Sequence, residues 1–158
     1  MLVPIIRWTL LGVALAFVAI QAVPYGHHHE NPATRAEPGW DSSATRALAA
    51  RACFDCHSNE TVWPWYANIA PMSWLTQRDV DKGRRKLNFS EWDRRQKEGR
   101  ESAKSVSRGK MPPWFYLALH PAARLTSSEA QALVAGPEAT LGTRGARREG
   151  RSRNDRDD

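Results

Sequence analysis

A chain of 158 residues, one in four of them charged, has the length of one domain with tails. Its formal charge of +6 traces to positions 78–110, where twelve Lys/Arg interleave with six Asp/Glu; that alternation marks a solvated helix face and argues against nucleic-acid binding. Its two cysteines are too few for a four-thiolate zinc site.

Taken in chain order, the first element is apolar. Trp8–Val23 runs "WTLLGVALAFVAIQAV" behind Arg7, a basic residue followed by an apolar stretch, and reads as an export signal. Counted from Leu2, the stretch approaches the ~20 residues that span a bilayer. The best cleavage site, after Ala22, would place Ile20 where a small residue belongs. The reading is therefore an uncleaved signal-anchor over residues 1–23, with the rest of the chain exported; release to the periplasm after cleavage is the alternative. Residues 24–40 are rich in Pro, Gly and His without periodicity, as a linker or loop over the membrane surface would be.

The main domain is expected over 41–136. Its first helix opens at Asp41 or Ser42 as N-cap and runs to the cysteines. An aromatic, proline-broken loop, "TVWPWYANIAPMSWL", follows, and then a second helix through "SWLTQRDVDKGRR". A third is expected from Ser90, which forms a capping-box pattern with Asp93. "GKMPPWFYLALHP" reads as irregular, because Pro112 and Pro113 interrupt it. A last short helix opens on the Thr126/Glu129 capping box and stops at Gly136 and Pro137. Residues 137–158 form an Arg/Gly-rich tail, disordered on composition. The fold class is all-α, and so small a domain needs help in holding its core.

The chemistry sits in Cys53-Phe54-Asp55-Cys56-His57, the C-x-x-C-H spacing of c-type haem attachment. Two thiols three positions apart can add to the two vinyl groups of one porphyrin, and the adjacent imidazole can bind its iron. A redox dithiol is the competing reading, but no βαβ pattern frames it. A disulfide across so short a loop would add little stability. One covalent haem c, held by Cys53 and Cys56 with His57 as proximal ligand, is the expectation.

For the sixth position a Met/His pair suits electron transfer. Met111 stands before Pro112 and Pro113, on a stiff loop that can present a thioether to iron. His120 or an open position are the alternatives, and Met72 lies close to the proximal helix. Trp63 and Trp65, nearest the motif, are expected in the pocket wall. Trp40, Trp74, Trp92 and Trp114 can serve as core. His27–His29 read as a surface cluster.

Beyond the five-residue motif, "CHSNET-WPWY", "IAPMSWL", "GRRKLNFSEW" and "MPP" followed by "HP" resemble the bacterial family known as the haem-binding domain, a c-type cytochrome-like group. The likeness covers roughly Pro24 to Leu133. It implies an exported, mostly helical mono-haem protein in which Cys53 and Cys56 attach the haem and His57 and Met111 ligate the iron. Where that family's last helix would continue, this chain turns at Gly136 into its basic tail.

The expected function is periplasmic electron transfer by a cytochrome c-like domain anchored to the bacterial inner membrane, more an electron carrier than an enzyme. The basic 78–110 region could steer an acidic redox partner. The alternatives are a haem enzyme or gas-binding sensor with an open distal site, or a haem-stabilised accessory module of a larger oxidoreductase.

Overall fold

The computed structural model describes residues 2–135. The expected helix stop at Gly136 and Pro137 and the tail of 137–158 lie outside the described residues. α1 spans Leu2–Ile20. Its Val3–Ile20 segment is long and apolar enough to cross a membrane, and none of it is buried among the described residues.

α2 covers Ser43–Ala52, with Ser42 as N-cap accepting from the Thr45 N–H at 3.1 Å. Thr45, Ala49 and Ala52 form its buried stripe, small enough for neighbours to pack closely. At Cys53 the backbone leaves helical geometry, and a single turn, α3 (Phe54–His57), follows. α4 occupies Met72–Lys86 and buries Ser73, Val80 and Gly83. α5 is Gly99–Ser107 and α6 is Trp114–Leu119. α7 covers 127–135. Short 3₁₀ turns stand at Trp65–Asn68 and Pro121–Ala123. Among the described residues the only β pairing is an isolated bridge between Ala36 and Glu91, so the fold is all-α.

The core is small and aromatic. Phe54, Phe89 and Trp92 gather with Ala49, Leu87 and Leu133, and Trp40 and Leu125 pack against them. The Phe54–Phe89 and Phe89–Trp92 ring centroids are 5.5 and 5.8 Å apart, in the range of favourable offset stacking. Trp40 and Trp92 are thus core residues.

Two sequence expectations need correction. The Ser90/Asp93 pattern starts no helix, and α5 begins nine residues later, at Gly99. The Ser90 hydroxyl instead accepts from the Asn59 N–H, and the Trp92 N–H is taken by the Ala36 carbonyl. Likewise the segment after Met111 is not wholly irregular. Pro113 serves as N-cap of α6, a place where prolines cost little, because the first helical N–H groups have no partner within the helix. The Thr126/Glu129 box forms as expected, with each residue's backbone N–H bonded to the other's side chain. Arg51 of α2 joins Glu129 at 2.6 Å and ties α7 down.

Residues 24–40, though without regular structure, lie against the domain. Arg84 reaches from α4 to the Glu30 and Ser58 carbonyls and to the Asn31 and Thr61 side chains, all within 3.0 Å. Gly26 sits at φ +83°, and a β-carbon there would stand 2.4 Å from the Ser73 carbonyl oxygen. Both conformation and space therefore require glycine.

Candidate functional site

The break at Cys53 turns the motif across the end of α2, and backbone bonds from the Cys56 and His57 N–H groups to the Cys53 carbonyl close the turn. Both cysteines are free thiols and half-buried. Burial pushes each thiol up to about 12, the neighbouring Cys56 adding to it for Cys53, and Asp55 and Asp79 for Cys56. A redox dithiol needs a thiolate near neutral pH, and here both sulfurs hold their protons.

His57 is clasped from both sides. Its Nδ1 lies 3.1 Å from the Leu87 carbonyl oxygen, and its own carbonyl accepts from the Phe89 N–H at 2.7 Å. A carbonyl can only accept, so Nδ1 carries the proton and Nε2 keeps its lone pair. Burial holds the ring's pKa below the ordinary histidine value, against hydrogen bonds to Leu87 and Gly83 that raise it. The result is a neutral imidazole with one nitrogen oriented by a backbone oxygen, the arrangement in which histidine binds metals.

A buried polar network fixes that clasp. Asn88 donates to Asn59 Oδ1 at 2.9 Å, the Ser90 N–H donates to Asn88 Oδ1, and the Asn59 N–H donates to the Ser90 hydroxyl. Sequence reasoning assigned none of these residues to the site. The signal lay in the polar "SN" directly after His57 and the "NFS" at 88–90.

Cys53, His57 and Met111 border one cavity, together with Leu87, Phe89 and Leu133. Met111 and Val106 also border a second cavity. The first holds about 60 Å³ and the second about 550 Å³; the one that His57 borders is by itself too small for a porphyrin. Cys56 does not line the first cavity; its backbone lies under Gly83 of α4. Asp55, between the cysteines, accepts from the Tyr116 hydroxyl at 2.6 Å and from the Val62 N–H at 3.0 Å. Burial and then Asp55 push the Tyr116 hydroxyl well above its usual value.

The other candidates lie elsewhere. Trp63 stacks on His29 with ring centroids 4.6 Å apart, and Trp65 is 75% exposed. Neither borders the cavities that Met111 lines. His120 stacks on Tyr116 at 4.1 Å, its Nε2 lies 3.3 Å from the Tyr66 hydroxyl, and its Nδ1 lies 3.1 Å from the Tyr116 carbonyl. Both its nitrogens are thereby engaged. Met72 opens α4 and borders neither cavity.

The donor set fits haem. Two protonated thiols stand three positions apart, a neutral imidazole has a free Nε2, and a thioether shares an apolar cavity with it. A structural zinc site would need further ligands, and the described residues contain no cluster of three or more His, Cys, Asp or Glu suited to a metal ion. The sequence model of a family described as the haem-binding domain matches residues 15–139. No curated protein and no solved structure is matched by the chain. With the match covering most of its length and the donor set in place, the chain belongs to the haem-binding domain family and binds haem.

Proposed function

We propose that the protein is a mono-haem c-type electron carrier, tethered by α1 to the bacterial inner membrane and facing the periplasm. The observation that carries this reading is the shared cavity of His57 and Met111, an imidazole and a thioether bordering one largely apolar space. In such a site the Cys53 and Cys56 thiols would hold the haem covalently, each by adding S–H across one of its vinyl groups, the thiol proton going to carbon with no net oxidation. His57 Nε2 and the Met111 sulfur would hold the iron. The bound haem supplies the Fe(III)/Fe(II) couple, and Met/His ligation favours a raised potential.

The chain's own residues do the positioning. Leu87 fixes the tautomer of His57, and the Asn59–Asn88–Ser90 network holds the Leu87–Phe89 segment in place. Leu87, Phe89, Val106 and Leu133 make most of the cavity wall apolar, with Glu98, Ser102 and Ser105 as its polar side. On the surface, Lys86 and Arg94 are engaged with Glu98 and Glu91 at 2.6 Å. Arg78, Lys82, Arg85, Arg95, Lys97, Arg108 and Lys110 are exposed and make no ion pair among the described residues, and they are cations that would meet an acidic redox partner.

A second reading rests on a specific observation. Met111 is 40% exposed and borders the larger cavity as well. If it yields its place, the distal side opens and the protein is a haem enzyme or gas sensor. A haem-stabilised accessory module of a larger oxidoreductase would use the same site passively.

The test is expression of the full chain with c-type maturation machinery, followed by acidified-acetone extraction and absorption spectroscopy. Haem that stays with the polypeptide, with a low-spin spectrum unchanged by carbon monoxide, supports the carrier. Extractable haem would sink covalent attachment, and a high-spin, carbon monoxide-reactive spectrum would favour the sensor or enzyme.

A further inference from the structure

In a chain with one charged residue in four, three stretches carry no Asp, Glu, Lys or Arg at all: residues 8–29, 61–77 and 111–123. The first is most of α1 and the segment after it. The other two hold every exposed large hydrophobic residue of the described structure beyond Tyr25: Val62, Trp65, Ile69 and Leu75 on one, and Met111, Trp114, Phe115 and Leu119 on the other. Trp65 is 75% exposed and Trp114 81%. So much exposed aromatic area is not scattered over the surface but gathered on segments that exclude charge.

The fold brings the three stretches together. The Tyr66 hydroxyl lies 3.3 Å from His120 Nε2, and Val62 and Tyr116 both donate to Asp55. These contacts place the 62–75 stretch beside α6. Just beyond α1, the Gln21 side chain clasps Ala70 at two points: its Nε2 donates to the Ala70 carbonyl at 3.1 Å, and its Oε1 accepts from the Ala70 N–H at 2.9 Å. The end of the apolar helix is therefore fixed to the loop that carries Trp65 and Ile69, and α1 is no loose tether.

A helix that crosses a bilayer carries whatever is fixed to its end into the headgroup region. Tryptophan and tyrosine favour that depth, where an apolar ring meets lipid and a polar N–H or O–H meets water. We propose that the face formed by the 62–75 loop and α6 lies in the headgroup region of the bilayer that α1 spans, with Trp65 and Trp114 as its interfacial anchors. This rests on α1 being a membrane anchor. It goes beyond tethering: the domain is held in one orientation, with the Met111 loop beside the lipid surface.

The test uses the full haem-loaded chain, reduced, in nanodiscs of phosphatidylethanolamine and phosphatidylglycerol, with 5-fluorotryptophan at all seven tryptophans. Fluorine resonances are assigned by single Trp→Phe variants. They are then read against a lipid with a spin label on its upper acyl chain and, separately, a water-soluble relaxation agent. The expected result is loss of Trp8, Trp65 and Trp114 intensity to the lipid-borne label, with Trp40 and Trp92 unaffected. If Trp8 is broadened by lipid while Trp65 and Trp114 respond only to the soluble agent, the docked face is overturned and the anchor stands. Shielding of Trp65 and Trp114 from both agents would mean that protein, such as a second copy, covers the face, and would also overturn it. If Trp8 does not sense the lipid, the anchor itself fails, and the docking with it.

Discussion

Gly83 and Cys56 are in backbone contact: a β-carbon on Gly83 would stand 2.1 Å from the Cys56 carbonyl oxygen and 3.1 Å from the Cys56 β-carbon. α4 therefore presses on the motif turn at the one residue that has no side chain. The contact is with backbone, which cannot rotate aside. Gly83→Ala should destabilise the fold by about 1–3 kcal/mol, the range for overpacking a close contact. It should also lower the fraction of chains carrying haem, because Cys56 moves with its carbonyl. Denaturant titration and the haem-to-protein ratio check both; an unchanged midpoint would show that the helices slide apart at no cost.

Asn88 bonds to Asn59 and accepts from Ser90 within a fully buried network. Asn88→Ala leaves the Asn59 carbonyl and the Ser90 N–H unpaired, at about 2–3 kcal/mol for the two groups. Because the network holds the segment that orients His57, the haem spectrum should broaden even where the variant still folds. A variant with the lost stability and an unaltered spectrum would confine Asn88 to a structural role.

Glu37 accepts two bonds from Arg46, at 2.7 and 2.6 Å, and a third from the Trp40 indole N–H at 2.7 Å. The Arg46 hydrogen bonds, ahead of the opposing effect of burial, hold its carboxyl below the usual value. A depressed carboxylate pKa contributes stability that is present above the unfolded value, near 4.5, and lost as pH falls through the folded value. Glu37→Gln should cost about 1 kcal/mol at neutral pH, kept small because Arg46 is partly in water. The gap from the parent protein should close as pH drops below 4.5. Unfolding midpoints at neutral and acid pH measure it, and a gap that stays constant would remove Glu37 as the titrating group.

Met111→Ala separates the two functional readings. It deletes a half-exposed thioether from the cavity shared with His57, so the fold should survive. For the electron carrier, the spectrum changes from low to high spin, carbon monoxide binds and the reduction potential falls, while the haem stays covalently attached. A parent protein that already binds carbon monoxide, with Met111→Ala indistinguishable from it, would give the distal side to exogenous ligands.

Much of this was legible in the sequence, because it is local chemistry. The C-x-x-C-H run, the apolar first helix, the Ser42 cap and the Thr126/Glu129 box each depend on residues within a few positions of one another. Hydrogen bonds and side-chain periodicity over one turn determine such features. The Ser90/Asp93 pattern has the same form as the box at Thr126, yet Ser90 faces Asn59, 31 residues earlier; a buried partner outcompeted the local cap. Nothing in the order of residues placed Leu87 against His57, Gly83 against Cys56, or Gln21 against Ala70. Packing the aromatic core of Phe54, Phe89 and Trp92 brings distant backbone segments together around His57, and the N–H groups of Asn59 and Phe89 then find acceptors there that lie some thirty residues away. Residue order was enough for the chemical groups, for α1 and for the capped starts of α2 and α7, but not for α3, α5 or α6. Packing chose which nitrogen of His57 is left free, which methionine shares its cavity, and which uncharged stretches of chain lie side by side.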